Sequence, residues 1–213
     1  MTDEINERSV EIPWLLRKVE GMSPHRLLDV GSADAQYHWE LIATGAACTF
    51  QDVRPFTPSL HPSILERITL HVGAPPFPPS FNDNFDLVTC VSVLDHVGLP
   101  AYGQPKDSNA LNTLVTALRD VMQDEGALLL TVPVGIPTVY NSVQCVFSLD
   151  ELLSFFPIPH WEFQSIEWYR LENHAYKQVP DWSDVCTASY RVSQARAEAV
   201  ACIELMRRKT YAA

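Results

Sequence analysis

Short apolar runs alternate with polar, turn-rich stretches along the whole chain. The runs at 26–30, 47–52, 68–72, 85–93, 127–132, 163–171 and 199–206 predict strands. Helical spacing lies between them. Ile12, Trp14, Leu15, Leu16 and Val19 predict a short amphipathic helix with Pro13 tolerated in its first turn. Residues 36–44 predict a second helix, stopped by Gly45, and 63–66 a short third. Residues 110–122 form the clearest amphipathic pattern, with Asp107 or Ser108 as N-cap and Gly126 as the break that follows. Ser148 and Glu151 have the spacing of a capping box and predict another helix start. The 85–93 run is nearly continuous, which suits a strand covered on both faces. Residues 74–84 carry four prolines and predict no regular structure.

Strands and helices alternate up to the fifth or sixth strand, and no helix separates the last two. The order predicts an α/β fold: a doubly wound, mostly parallel, seven-stranded sheet with an antiparallel last strand. No repeat or linker divides the chain, so 1–213 reads as a single domain. It has an N-terminal helix within 1–22 and an acidic, aromatic excursion at 173–196. That excursion is a lid over a site, ordinary packing, or a contact between two copies in a homodimer.

Composition narrows the class. With 213 residues, 46% of them hydrophobic, the chain can bury one large core. Its 26 acidic residues outweigh 15 Lys and Arg, a net charge of −11. The densest basic cluster is the short Arg207-Arg208-Lys209, so nucleic acid is not an expected partner. No apolar run approaches the roughly 20 residues needed to span a bilayer. The polar start of the chain has no secretory character, and a cytoplasmic protein is expected. The five cysteines (48, 90, 145, 186, 202) have no metal-ligand spacing. They read as small buried hydrophobes in a reducing compartment, and no metal is expected.

The richest chemistry lies at 26–54. Leu27-Leu28-Asp29-Val30 ends at Gly31, a helical pattern follows, and the next strand ends at Asp52, about twenty residues on. Strand, glycine bend, helix, strand and acid together bind an adenosine-containing cofactor. The glycine lets backbone approach ligand closely, and the acid accepts hydrogen bonds from a ribose diol.

Leu27-Leu28-Asp29-Val30-Gly31, Gln51-Asp52-Val53-Arg54, Asn84-Phe85-Asp86-Leu87-Val88 and Gly126-Ala127-Leu128-Leu129-Leu130, in that order, resemble the motifs of the class I S-adenosylmethionine-dependent methyltransferases. A narrower set is similar to a bacterial group of methyltransferases associated in part with surface-glycan biosynthesis: Ser92-Val93-Leu94-Asp95-His96-Val97-Gly98-Leu99, Tyr102-Gly103, Val132-Pro133-Val134-Gly135 and Asn141. The resemblance implies S-adenosylmethionine as cofactor and methyl transfer to oxygen or nitrogen of a small-molecule or glycan-type acceptor. It places Asp29, Gly31, Ser32, Ala33, Asp52, Val53, Ala74 and Val91 around the cofactor. His96 is the candidate base, with Asp95 orienting it.

The chain departs from the family pattern in three places. Gly31 stands alone where the first motif usually has further glycines, so a non-glycine residue is expected at a position needing positive φ. No acid follows the third strand at His71-Val72-Gly73-Ala74, which leaves adenine to backbone groups and to Ala74 and Phe77. Ser142-Val143-Gln144-Cys145 replaces the His or Arg that the bacterial group places beyond Asn141.

Several residues have two readings. Asp29 binds the cofactor's ammonium or holds loop amides. Asp34 meets the ammonium or sulfonium, or caps the next helix. His96 acts as a base or packs beneath the cofactor. Asp86 reads as structural. Two other functions compete with methyl transfer. One is a non-catalytic adenosine-ligand-binding or scaffold protein on the same fold. The other is an NAD-dependent oxidoreductase, which G-x-G-x-x-G disfavours because positions 33 and 36 are Ala and Gln.

Overall fold

The computed structural model describes residues 6–56, 65–66, 68–191 and 196–209. The short helix expected at 63–66 falls largely outside them. Along the chain come α1 (Arg8–Met22), β1 (Arg26–Val30), α2 (His38–Ala43), β2 (Ala47–Asp52), β3 (Thr69–Val72) and β4 (Phe85–Val91). Then follow α3 (Ala110–Val121), β5 (Met122–Pro133), β6 (Thr138–Tyr140), β7 (Gln144–Val146) and α4 (Leu149–Phe155). The chain ends with β8 (Trp161–Glu172), β9 (Ala175–Val179), β10 (Tyr190–Arg191), β11 (Arg196–Ala197) and β12 (Ala199–Arg207).

The main sheet has strand order β3-β2-β1-β4-β5-β12-β8-β9. β3, β2, β1, β4 and β5 pair in parallel, and β12 inserts antiparallel between β5 and β8. The sheet is therefore mostly parallel with a reversed last strand, as expected, but it has eight strands rather than seven. The eighth is β9, which pairs antiparallel with β8 inside the excursion. Its half-exposed, polar sequence carries no apolar run.

Side chains on successive strand residues point to opposite faces, and two cores follow from that alternation. Leu27, Phe50, Leu87 and Leu129 pack with Trp14, Leu15, Val19 and Leu41 of α1 and α2. Leu28, Val88, Leu128 and Leu130 pack with Leu114, Leu118 and Leu152 of α3 and α4. Burying Trp14, Leu15 and Val19 contributes about 1.5–3 kcal/mol apiece to holding α1 on the sheet.

Several boundaries differ from the sequence reading for local reasons. α1 begins at Arg8, so Pro13 lies inside the helix and not in its first turn. The added turn is polar: Arg8 bonds the Val91 carbonyl at the end of β4, and Glu11 accepts the Ser92 and Thr131 hydroxyls. α2 begins at His38 behind Tyr37, so Asp34 is not its cap. Asn109, not Asp107 or Ser108, precedes α3, and Asp107 instead accepts the Asn109 N–H (2.8 Å). The chain passes straight from α3 into β5. Gly126 sits within β5 where a Cβ would lie 2.9 Å from the Gln123 carbonyl oxygen and 3.2 Å from that of Phe85. Ser148 and Glu151 form the expected capping box. Asp86 is structural: it accepts the backbone N–H groups of His25 (2.8 Å) and Arg26 (2.9 Å).

β6 and β7 form a small hairpin that the pattern did not reveal. Asn141 and Ser142 both adopt left-handed backbone (φ 49° and 57°), as a tight hairpin turn requires. The excursion packs closely on the loop after β5. Val185 and Ala188 are buried, and the Ala188 carbonyl accepts the Ile136 N–H (2.8 Å).

Candidate functional site

A cavity of about 570 Å³ opens at the carboxyl ends of β1, β2 and β4, where open α/β sheets bind ligands. Val30, Gly31, Asp52, Val53, Ala74, Pro75, Val91, His96 and Tyr102 are among its lining residues, together with Asn6, just before α1, and Arg8 and Ile12 of α1.

The bend after β1 is fixed by backbone bonds. The N–H groups of Gly31 (2.8 Å) and Ser32 (3.0 Å) both donate to the Gln51 carbonyl. Gly31 has φ 77°, and a Cβ there would lie 2.2 Å from a Val93 methyl. Residues 32–35 need no positive φ, so the strain expected from the missing glycines is absent from the bend. At the end of β4, beside the cavity, Ser92 has φ 47°, a conformation costing an L-residue roughly 1 kcal/mol or more.

Asp52 faces this bend. Its Oδ2 accepts the Ala33 N–H (2.9 Å) and Arg54 Nη2 (3.2 Å), and its Oδ1 accepts the Arg54 N–H (2.9 Å) and Nε (3.1 Å). The guanidinium also pairs with Asp34 and lies 4.4 Å from the Tyr102 ring centre. A carboxylate has about four acceptor sites. The two backbone N–H groups occupy one on each oxygen, and the Arg54 side chain covers one more on each.

Asp29, on the neighbouring strand, lies beneath the floor. It is fully buried and does not line the cavity. Its Oδ1 accepts Thr89 Oγ1 (2.6 Å) and Tyr37 Oη (3.4 Å), while Oδ2 has no partner among the described residues. Burial pushes its carboxyl up to about 7 against those two bonds. It therefore holds hydroxyls, not the loop amides the sequence suggested.

At the end of β4, His96 lines the cavity. Its Nδ1 donates to the Val143 carbonyl of the β6–β7 hairpin (2.6 Å), and its Nε2 lies 3.4 Å from Asp95 Oδ2. Asp95 and His96 do meet, but the ring's other nitrogen is taken by the hairpin. Asp95 is fully buried without a hydrogen-bond partner among the described residues, and burial pushes its carboxyl up while His96 opposes the shift.

The structure thus brings Gly31, Asp52, Val53, Ala74, Val91 and His96 to one cavity. Asp29, Ser32, Ala33 and Asp95 sit behind its wall, with Ala33 contributing its N–H to Asp52. Phe77 lies in the core, and Pro75 takes its place beside Ala74. Sequence reasoning missed Arg8, Glu11, Arg54 and Tyr102. Arg54 had a readable signal, a cation two residues after the acid. The other three come together only through the fold. Among the described residues no cluster of metal-ligating side chains occurs, and no described helix is long and apolar enough to cross a membrane.

Solved structures match this architecture over nearly all of the chain. The N-methyltransferase NodS from Bradyrhizobium japonicum, in complex with S-adenosylhomocysteine, has a TM-score of 0.64 at 12% identity, covering 98% of this chain and 90% of its own. The Burkholderia thailandensis 1,6-didemethyltoxoflavin-N1-methyltransferase, bound to 1,6-didemethyltoxoflavin and S-adenosylhomocysteine, gives 0.61 at 14% identity, covering 94% and 80%. An S-adenosylmethionine-dependent methyltransferase from Methanosarcina mazei gives 0.57 at 12%, covering 87% and 93%. The fold is that of the class I S-adenosylmethionine-dependent methyltransferases. No protein-family model matches the sequence, and no curated protein matches it. Within the methyltransferase fold, the cavity lies at the switch between β1 and β4, where strand order reverses.

Proposed function

We propose that the protein binds S-adenosylmethionine and transfers its methyl group to oxygen or nitrogen of a small-molecule acceptor. The observation that carries this reading is the Asp52 carboxylate. It faces a glycine bend, and moving the Arg54 side chain aside frees one acceptor site on each of its oxygens, the number a ribose diol requires. The rest of the cavity fits the cofactor as well. Its volume lies within the usual range for small-molecule sites. Val53, Ala74 and Pro75 offer apolar contact to adenine, and Gly31 permits close approach of backbone.

The cofactor supplies an already activated methyl group on a sulfonium. What remains for the chain is to bind, orient and exclude water. Orientation can contribute up to roughly 7–11 kcal/mol. His96, whose Nδ1 bonds the Val143 carbonyl and whose Nε2 lies 3.4 Å from the buried Asp95 carboxyl, ties the β6–β7 hairpin to the cavity wall. A second reading, ligand binding without catalysis, draws support from the Arg54 cover over Asp52.

Calorimetry with S-adenosylhomocysteine tests the shared step, and incubation with labelled S-adenosylmethionine and a panel of small hydroxyl and amine acceptors separates the two readings. Binding with label transfer fits methyl transfer. Binding without transfer to any acceptor favours the non-catalytic reading, and absence of binding removes both. Glycan-type acceptors belong in that panel because of the bacterial-group resemblance.

A further inference from the structure

Two arginines line the cavity, and only one is neutralised by acids that also line it. Arg54 is held by Asp52 and Asp34. Arg8 comes from the first turn of α1, and its side chain is 46% exposed. Its Nη1 donates to Glu11 Oε2 (3.2 Å) and to the carbonyl of Val91, the last residue of β4 (3.3 Å). Among the described residues, neither its Nε nor its Nη2 has a hydrogen-bond partner. Glu11 is fully buried, and its Oε1 is clamped by Ser92 Oγ and Thr131 Oγ1, both at 2.7 Å. The guanidinium is therefore anchored by one nitrogen to a fixed carboxylate and a strand end, with the remaining N–H groups available to the cavity. A planar guanidinium in that state presents a fork matched to a carboxylate.

Its place in the sheet says which end of a ligand it meets. Asp52 ends β2, Gly31 follows β1 and Val91 ends β4, and these three strands are consecutive neighbours. Adjacent strands lie about 4.8 Å apart, so Arg8 sits about 10 Å across the sheet from the acid assigned to ribose, beyond the glycine bend. A nucleoside whose sugar sits at Asp52 extends its tail toward Arg8.

We propose that Arg8 binds the carboxylate of an α-amino-acid group, the amino-acid end of the cofactor. The inference rests on the S-adenosylmethionine reading and adds a residue and a ligand chemistry to it.

Two probes separate this role from a structural one: S-adenosylhomocysteine, which has the amino-acid end, and 5′-methylthioadenosine, which lacks it. Titrated into Arg8→Met, S-adenosylhomocysteine is expected to bind about 30-fold more weakly than to the wild type, the size of a charge-assisted contact. 5′-Methylthioadenosine is expected to change by less than about twofold, since it leaves Arg8 without an anion to contact. Arg8→Met leaves Glu11 buried without its cation, so the double variant Arg8→Met, Glu11→Gln repeats the comparison without an uncompensated charge. Arg8→Lys keeps charge but not the fork, and should fall between wild type and Arg8→Met. An equal loss for both probes would make Arg8 structural. Unchanged S-adenosylhomocysteine affinity would assign its fork to another anion, such as one on the acceptor. Either result overturns the inference while leaving the nucleoside reading standing. A wild type that binds neither probe removes both.

Discussion

Asp29 and Asp52 stand on adjacent parallel strands, two register steps apart, and their surroundings are opposite. Asp29 lies between Phe50 and Thr89 in the ladder, bonded to the Tyr37 and Thr89 hydroxyls, with one oxygen unpartnered among the described residues and no access to the cavity. Asp52 lies where β2 runs out, and both its oxygens accept two hydrogen bonds at the edge of the cavity. A carboxylate inside a strand is a cost the fold carries, whereas one at a strand's end can exchange its partners for a ligand. The sequence pattern favoured Asp52 and left Asp29 between a cofactor contact and a structural role; geometry separates the two further.

The largest expected effect breaks the comparison from the buried side. A carboxyl held near 7 when folded, against 3.8 in the unfolded chain, means that the unfolded state releases its proton first as pH rises. Stability from this group is therefore greatest below about pH 4 and falls through the window from about 4 to about 7, by up to about 4 kcal/mol. Urea unfolding across that range should show the decline in the wild type and a flatter profile in Asp29→Asn. An equal decline in both would place the titration elsewhere. Asp52→Ala comes next, with an expected loss of about 100-fold in affinity for S-adenosylhomocysteine from two charge-assisted bonds, and a modest fall in melting temperature because the Ala33 and Arg54 N–H groups lose their acceptor.

Arg54→Ala sharpens the comparison. Without its cover, Asp52 should bind S-adenosylhomocysteine about fivefold more tightly, the scale of a partly exposed ion pair, while the ligand-free protein melts at lower temperature. Weaker binding in this variant would mean that Arg54 contacts the ligand directly. The smallest effect is expected at His96. Loss of a general base costs about 100-fold or more in rate. His96→Gln should cost less than about tenfold in the methyl-transfer rate, since Nδ1 is committed to the hairpin and Nε2 faces the buried Asp95 carboxyl.

Legibility in the sequence tracked apolar content. β1, β2, β4 and the cores of β5 and β12 were readable because apolar runs mark strands covered on both faces, and β3 and β8 were readable from their apolar residues although they are only partly buried. β9 and the β6–β7 hairpin were not, because half-exposed edge segments carry mixed residues whose pairing depends on neighbours far along the chain. The same division runs through the site. Gly31 and Asp52 announce themselves by order along the chain. Arg8, Glu11, Ser92 and Thr131 meet across three separate segments, and no local pattern encodes that meeting. The single-glycine first motif looked eroded, yet its bend requires only Gly31 to take a left-handed conformation.

The most direct test of the account is a calorimetric titration of S-adenosylhomocysteine into the wild-type protein and Asp52→Ala side by side. The account predicts one-to-one binding to the wild type and near-complete loss in the variant at the same ligand concentration. Equal affinity in the two proteins, or no binding to a folded wild type, would contradict it.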